Sequence, residues 1–143
     1  MKTNAKLIIA FSTLAIAFLA FRKFIYTAKL KAVNMLMTQG KWKVNQYRDN
    51  GVDETSNYTG YEFLFKPNGT LVAMKDNNML SGHWKSEVDK KETKLSIDFD
   101  SASDLDELSE EWQVLNKTDH SIELEEPATG YSGIDYLNLE RIS

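Results

Sequence analysis

The sequence predicts an all-β fold: an eight-stranded antiparallel up-and-down barrel, preceded by an N-terminal apolar helix. Three observations lead there. After Gly40, apolar residues alternate with polar ones across eight short runs, the period-two pattern of half-buried strands. Most links between the runs are of hairpin length and rich in Asn, Gly, Asp and Pro, the residues that turns require. Before Gly40, residues 7–21 (LIIAFSTLAIAFLAF) carry no charge, as in a helix with no polar face.

Composition narrows the function classes. The chain has 143 residues, 42% hydrophobic and 27% charged, enough for one domain with its own core. It contains no Cys, which removes disulfides, thiolate metal sites, Cys nucleophiles and lipid-modified Cys. The net charge of −4 divides unevenly. Residues 1–39 hold six basic residues and no acid, whereas residues 40–143 hold the other 11 basic residues and all 21 acids, net −10. An acidic body repels phosphate backbones, so nucleic acid is not an expected partner. A basic, apolar start points to a membrane.

The apolar run would span about 22 Å as a helix, short of a hydrocarbon core of roughly 30 Å. Extension to Ala28 supplies the length, with Arg22 and Lys23 snorkelling to the headgroups. Residues 1–23 therefore read as a signal-anchor or a signal peptide. In the second case Ala15-Ile16-Ala17 is the cleavage site. That site lies inside the apolar run, which favours an uncleaved anchor; a buried core helix is the third reading. Basic residues flank the run on both sides, so the positive-inside rule does not support export. Residues 24–37 form a connector helix with Phe24, Ala28, Ala32 and Met35 at helical spacing. It lies either on anionic lipid or with its end, 33–37, plugging the following domain.

Residues 38–143 form the barrel. The first strand is 42–48 (WKVNQYR), turned by Asp49-Asn50-Gly51. The second, 61–66, puts Tyr61, Phe63 and Phe65 on one face and ends at Pro67-Asn68-Gly69. The third is 70–75 and the fourth 79–86, where Leu80, Gly82 and Trp84 share a face. A charged turn, Asp89-Lys90-Lys91, leads to the fifth, 93–99, with Leu95, Ile97 and Phe99 alternating against Lys94, Ser96 and Asp98. The sixth is 111–115, the seventh 121–125 and the eighth 134–142. A flat meander would leave two edges and a bare apolar face; closure removes both. A two-sheet sandwich is the alternative, and the hairpin-length links count against it. The link 100–110 (DSASDLDELSE) has Ser103 and Asp106 at capping-box spacing, which predicts a helix of one or two turns at a barrel mouth.

The opening Gly40-Lys41-Trp42 resembles the Gly-x-Trp signature of the lipocalins. The series Asn50-Gly51-Val52-Asp53 with Thr55, Gly60-Tyr61-Glu62-Phe63, Asn68-Gly69-Thr70, Gly82-His83-Trp84 and Leu137-x-Leu139 is similar to a family of small bacterial lipocalin-like domains. The resemblance covers residues 35–143. It implies a calycin-type barrel in the cell envelope, no enzyme activity and a domain that follows an export signal. The family's lipidated Cys is missing here, so an apolar anchor would replace it. In lipocalins the signature tryptophan packs beneath a basic residue of the last strand, which implies a structural signature of Gly40, Trp42 and Arg141. The alternative is that Arg141 is a solvated terminal residue.

Searches for catalytic chemistry fail. His83 and His120 fall on different elements with no third nitrogen ligand. Gly130-Tyr131-Ser132-Gly133 is no nucleophile elbow. The acids Asp98, Asp100, Asp104, Asp106 and Glu107 miss EF-hand spacing, with Ser103 at the glycine position. No cofactor or metal is expected, and no enzyme.

The leading functional expectation is a membrane-tethered lipocalin-like domain binding a small hydrophobic ligand. Tyr61, Phe63, Phe65, Leu71, Leu80, Trp84, Leu95, Ile97 and Phe99 would line its cavity, together with Ala73 and Gly82. The alternative is a structural or protein-interaction domain whose same side chains fill the core. The expected location is the cell envelope, anchored by a single pass with the barrel outside the cytoplasm. After signal cleavage it would be secreted or periplasmic.

Overall fold

The computed structural model describes residues 4–99, 104–126 and 133–143, with side chains from residue 13 onward. One helix, α1 (Asn4–Met37), is followed by β1 (Trp42–Asp49), β2 (Val52–Asp53), β3 (Glu62–Phe65), β4 (Thr70–Lys75), β5 (Asn78–Asp89), β6 (Glu92–Phe99), β7 (Glu111–Lys117), β8 (Ser121–Glu126) and β9 (Asp135–Arg141). Two single 3-10 turns, Thr55–Tyr58 and Asp106–Leu108, lie in the longer links.

The sheet runs antiparallel from β3 through β9, and β1 joins both its ends, so the sheet closes on itself. Eight strands are staves of the barrel; β2 is a two-residue return on the end of β1. The β1–β9 seam is long, from Trp42↔Arg141 to Arg48↔Tyr136, whereas β1 meets β3 only at Trp42↔Phe63. Bulges between Val44 and Gln46 and between Val114 and Asn116 add the local twist that closure needs. The sandwich alternative is therefore excluded.

The eight staves fall within a residue or two of where the alternation placed them, β7 running on to Lys117, with one longer extension, and β2 is an addition. β5 runs to Asp89, because its ladder with β6 continues to Asp89↔Glu92 and the turn narrows to Lys90 and Lys91. Both lysines have positive φ, 47° and 74°, as do Asn50 and Gly51, at 49° and 83°. Two positive-φ residues match the right-handed twist of the flanking strands. At Pro67-Asn68-Gly69 only the glycine is left-handed. This turn closes through Gly69 N–H to Lys66 C=O at 3.0 Å.

The expected anchor and connector form one continuous helix. The packing face of its last turns differs from the expected one. Phe24 and Met35 are exposed, while Val33, Leu36 and Met37 are buried. These three enter one barrel end, which is the plug reading of 33–37. A helix meeting a barrel end-on buries only its last turns, so the longer stripe has nothing to face. Thr38 N–H bonds back to Asn34 C=O at 3.2 Å, and Gly40, at φ +82°, turns the chain into β1. Among the described residues no helix is long and apolar enough to cross a membrane. The side chains of residues 7–12 lie outside the described set.

The turns 66–69, 90–91 and 118–120 lie at the helix end of the barrel, beside α1 residues 29–39. The far end carries the β1–β2 turn, both 3-10 turns and the link after Phe99. The expected cap Ser103 lies outside the described residues. Among its described residues the link holds a 3-10 turn, Asp106–Leu108, without a side-chain cap. Leu105 and Leu108 are fully buried there, and Trp112 Nε1 donates to Leu108 C=O at 3.1 Å. This insert is a plug with an acidic outer face.

Candidate functional site

The site proposed from sequence is the barrel interior, and the structure brings its residues together there. Phe63, Phe65, Leu71, Trp84, Leu95, Ile97 and Phe99 are buried, while Tyr61 and Leu80 pack against the same cluster, half-buried at its rim. Period-two alternation on β3 to β6 is sufficient to aim them inward. Their rings interlock. Phe65 meets Trp84 edge-on at 5.6 Å, Phe63 lies 6.3 Å from Phe99, and Tyr61 stacks on Phe63 at 6.1 Å.

Little space is left between them. Among the described residues, the void they enclose is about 10 Å³, bordered by Phe63, Phe65, Leu71, Ile97, Phe99, Leu108, Leu137 and Leu139. That is at the lower limit for a single water and far below the ~300 Å³ of a small-molecule pocket. Gly82 makes room for protein: a Cβ there would lie 2.3 Å from the Asp98 carbonyl oxygen and 3.0 Å from Phe99 Cα. The glycine lets β6 approach closely enough for Phe99 to enter the core.

Each tryptophan indole N–H is held by a backbone carbonyl at a barrel end: Trp42 by Met37 at 3.0 Å, Trp84 by Lys66 at 2.8 Å and Trp112 by Leu108 at 3.1 Å. Trp42 thereby clamps the end of α1 to β1. Gly40 is sterically required, since a Cβ would overlap the Ser143 carbonyl oxygen at 1.5 Å. Arg141 is Trp42's ladder partner, but its guanidinium does not stack on the indole. It donates to Gln39 Oε1 at 2.8 Å and lies 3.1 Å from His120 Nδ1. Met37 and Leu36 already cover that barrel end, so the arginine turns to polar partners. A guanidinium only donates, so His120 Nδ1 is the acceptor.

Sequence reasoning missed a cluster at the far end. Tyr47 and Tyr58, both buried, meet edge-on at 5.1 Å, and Tyr58 Oη donates to Glu107 Oε2 at 3.2 Å. Burial first, then neighbouring charge, raises both phenols well above their ordinary range; Glu107 acts on both. On β8, burial and then Glu110 and Asp135 raise the Glu126 carboxyl. The Thr55 hydroxyl and N–H, at 2.6 and 3.0 Å, lower the Asp53 carboxyl. These are turn and plug contacts. Among the described residues no group of three or more His, Asp or Glu is placed to hold a metal ion. Asp100 and residues 130–132 lie outside the described set.

The open space is outside the barrel, around the base of α1. One groove of about 450 Å³ runs between Asn34, Met35 and Thr38 and the Pro67–Gly69 turn. Another, about 560 Å³, lies between Leu36, Gln39, His120 and Arg141. Exposed Lys29, Lys31, Lys66, Lys85, Lys90, Lys91 and Lys117 surround this end, together with the exposed acids Asp89, Glu92 and Asp119. The far end instead carries Asp53, Asp76, Asp104, Asp106, Glu107 and Glu110.

No protein-family model matches the sequence, and no curated protein matches it. Among solved structures it is similar to the crystal structure of a DUF4847 family protein from Bacteroides vulgatus ATCC 8482. The TM-score is 0.53 at 14% identity, over 77% of this chain and 97% of that one. At that identity the likeness is one of fold alone.

Proposed function

We propose that this protein is a membrane-attached barrel with a filled interior, a structural or protein-interaction domain of the cell envelope that works through its surface. The interior void of about 10 Å³ carries this reading. The side chains expected to line a ligand cavity occupy the volume a ligand would need. Attachment is supported by Leu14, Ile16, Phe18, Leu19, Phe21 and Phe24, each at least 60% exposed on successive turns of α1. They point in all directions around the helix, so no single protein groove would cover them. Insertion into lipid would, at roughly 1.5–3 kcal/mol per large side chain.

Two measurements test the two halves of the reading. Resistance of the full chain to alkaline extraction from membranes is expected, and quantitative release would sink the attachment. Native mass spectrometry of residues 25–143 should show the bare polypeptide mass. A stoichiometric apolar ligand in that fragment would restore the cavity reading.

A further inference from the structure

The β5–β6 hairpin does not stop at the barrel rim. It continues along α1, with Ser86 Oγ bonded to Asn34 Oδ1 and Lys29 Nζ donating to Lys91 C=O at 3.1 Å. Its tip therefore stands at the level of Lys29, roughly 10 Å along the helix from Arg22. Arg22 follows directly on the uncharged run 7–21. If the span extends to Ala28, as the thickness of the hydrocarbon core requires, the hairpin tip at the level of Lys29 lies in the headgroup layer, which is roughly 5–7 Å thick on each side.

A groove of about 350 Å³ lies at this place. Phe18, Phe21 and Ile25 give it an apolar floor, and Arg22, Lys29 and Lys91 stand around it. The three cations have no carboxylate partner among the described residues. Arg22 holds the Tyr26 hydroxyl at 2.9 Å and lies over the Phe18 and Tyr26 rings, and Lys29 holds a carbonyl. The hairpin's own acids are engaged elsewhere, Asp89 by Lys94 at 3.6 Å and Glu87 by Lys85 at 3.5 Å, which leaves exposed Glu92. The turn also uses lysine at two positive-φ positions, where Asn and Gly would be less strained. What lysine adds there is charge.

We propose that this groove seats an anionic phospholipid of the bilayer into which α1 inserts. The acyl chain lies on Phe18, Phe21 and Ile25, and the phosphate lies against Arg22, Lys29 and Lys91. The inference rests on the attachment reading and adds a second, lipid-selective contact that stands the barrel with its helix end toward the membrane. A lipid phosphate relieves the mutual repulsion of three cations while its chain covers the apolar floor.

The absence of Cys allows single labels on the full chain. Fluorophores at Ala17→Cys, Thr93→Cys and Asn77→Cys report α1, the hairpin tip and the far end. Vesicles are phosphatidylcholine alone or mixed with phosphatidylglycerol, with spin-labelled lipid as quencher. The label at 17 should be quenched from the acyl region in both. The label at 93 should be quenched from the headgroup only with phosphatidylglycerol, and the label at 77 in neither. Replacing Arg22, Lys29 and Lys91 by Gln should weaken the phosphatidylglycerol dependence at position 93 on the order of 100-fold, at about fivefold per basic residue. The Lys91→Arg variant should retain it. Equal quenching at 93 in both lipids, or no effect of the triple substitution, overturns the groove while leaving the attachment intact. A label at 17 that stays in water overturns the attachment, and the groove with it.

Discussion

Replacing Phe99 by Ala tests the filled interior directly. Phe99 is 6% exposed, lies 6.3 Å from Phe63 and borders the small void. Removing its ring opens a cavity on the order of 100 Å³. At about 24 cal/mol per Å³, the cavity alone costs about 2.4 kcal/mol, and the lost transfer free energy of the ring adds about 2. Collapse is restricted on one side, because β5 and β6 already touch at Gly82, where even a Cβ would meet the Asp98 carbonyl. We expect a loss of about 4 kcal/mol, read from the urea midpoint at constant m-value. The new cavity should be apolar and dry, so benzene should raise the Tm of the variant and leave the wild type unchanged. A loss below about 1 kcal/mol, with no new benzene effect, would refute the reasoning, since the interior would then have been open or hydrated from the start.

The barrel ends make four further predictions. Trp42→Ala should cost about 3–5 kcal/mol, and Trp42→Phe about 2, through the orphaned Met37 carbonyl. Arg141→Ala should cost about 1 kcal/mol or less, because among the described residues its exposed guanidinium serves Gln39 and His120; denaturant unfolding measures all three variants. Residues 25–143 should unfold cooperatively, whereas residues 38–143 should lose roughly 5 kcal/mol with Val33, Leu36 and Met37, as circular dichroism melts would show. At alkaline pH, Tyr47 and Tyr58 stay protonated in the folded chain after phenols in the unfolded chain begin to ionise near pH 10. The unfolded state then binds fewer protons, so stability should fall above about pH 10 by up to about 1.4 kcal/mol per pH unit for each phenol. Urea midpoints for Tyr47→Phe and Tyr58→Phe should show a shallower fall.

The strands were legible in the sequence because their information is local. Leu95, Ile97 and Phe99 alternate against Lys94, Ser96 and Asp98, and Asn50-Gly51 or Pro67-Asn68-Gly69 reverses the chain wherever the neighbours are. The inward set followed, and so did the separation of a basic N-terminal part from an acidic body. The continuity of α1 through residue 23 was less legible, since a change of composition is no helix break. Which face of α1 packs depended on the barrel end it meets, which selects Val33, Leu36 and Met37 over Phe24 and Met35. The direction of Arg141 depended on partners far apart in sequence, Gln39 and His120, which only the closed barrel brings to it. The Tyr47–Tyr58–Glu107 cluster joins β1 to two separate links and has no local pattern. Whether the interior is open or filled was decided only in three dimensions. Alternation aims side chains inward, but the space they leave is the small difference between their summed volume and the barrel's. That barrel volume depends on the seam register, the two bulges and the plugs at both ends.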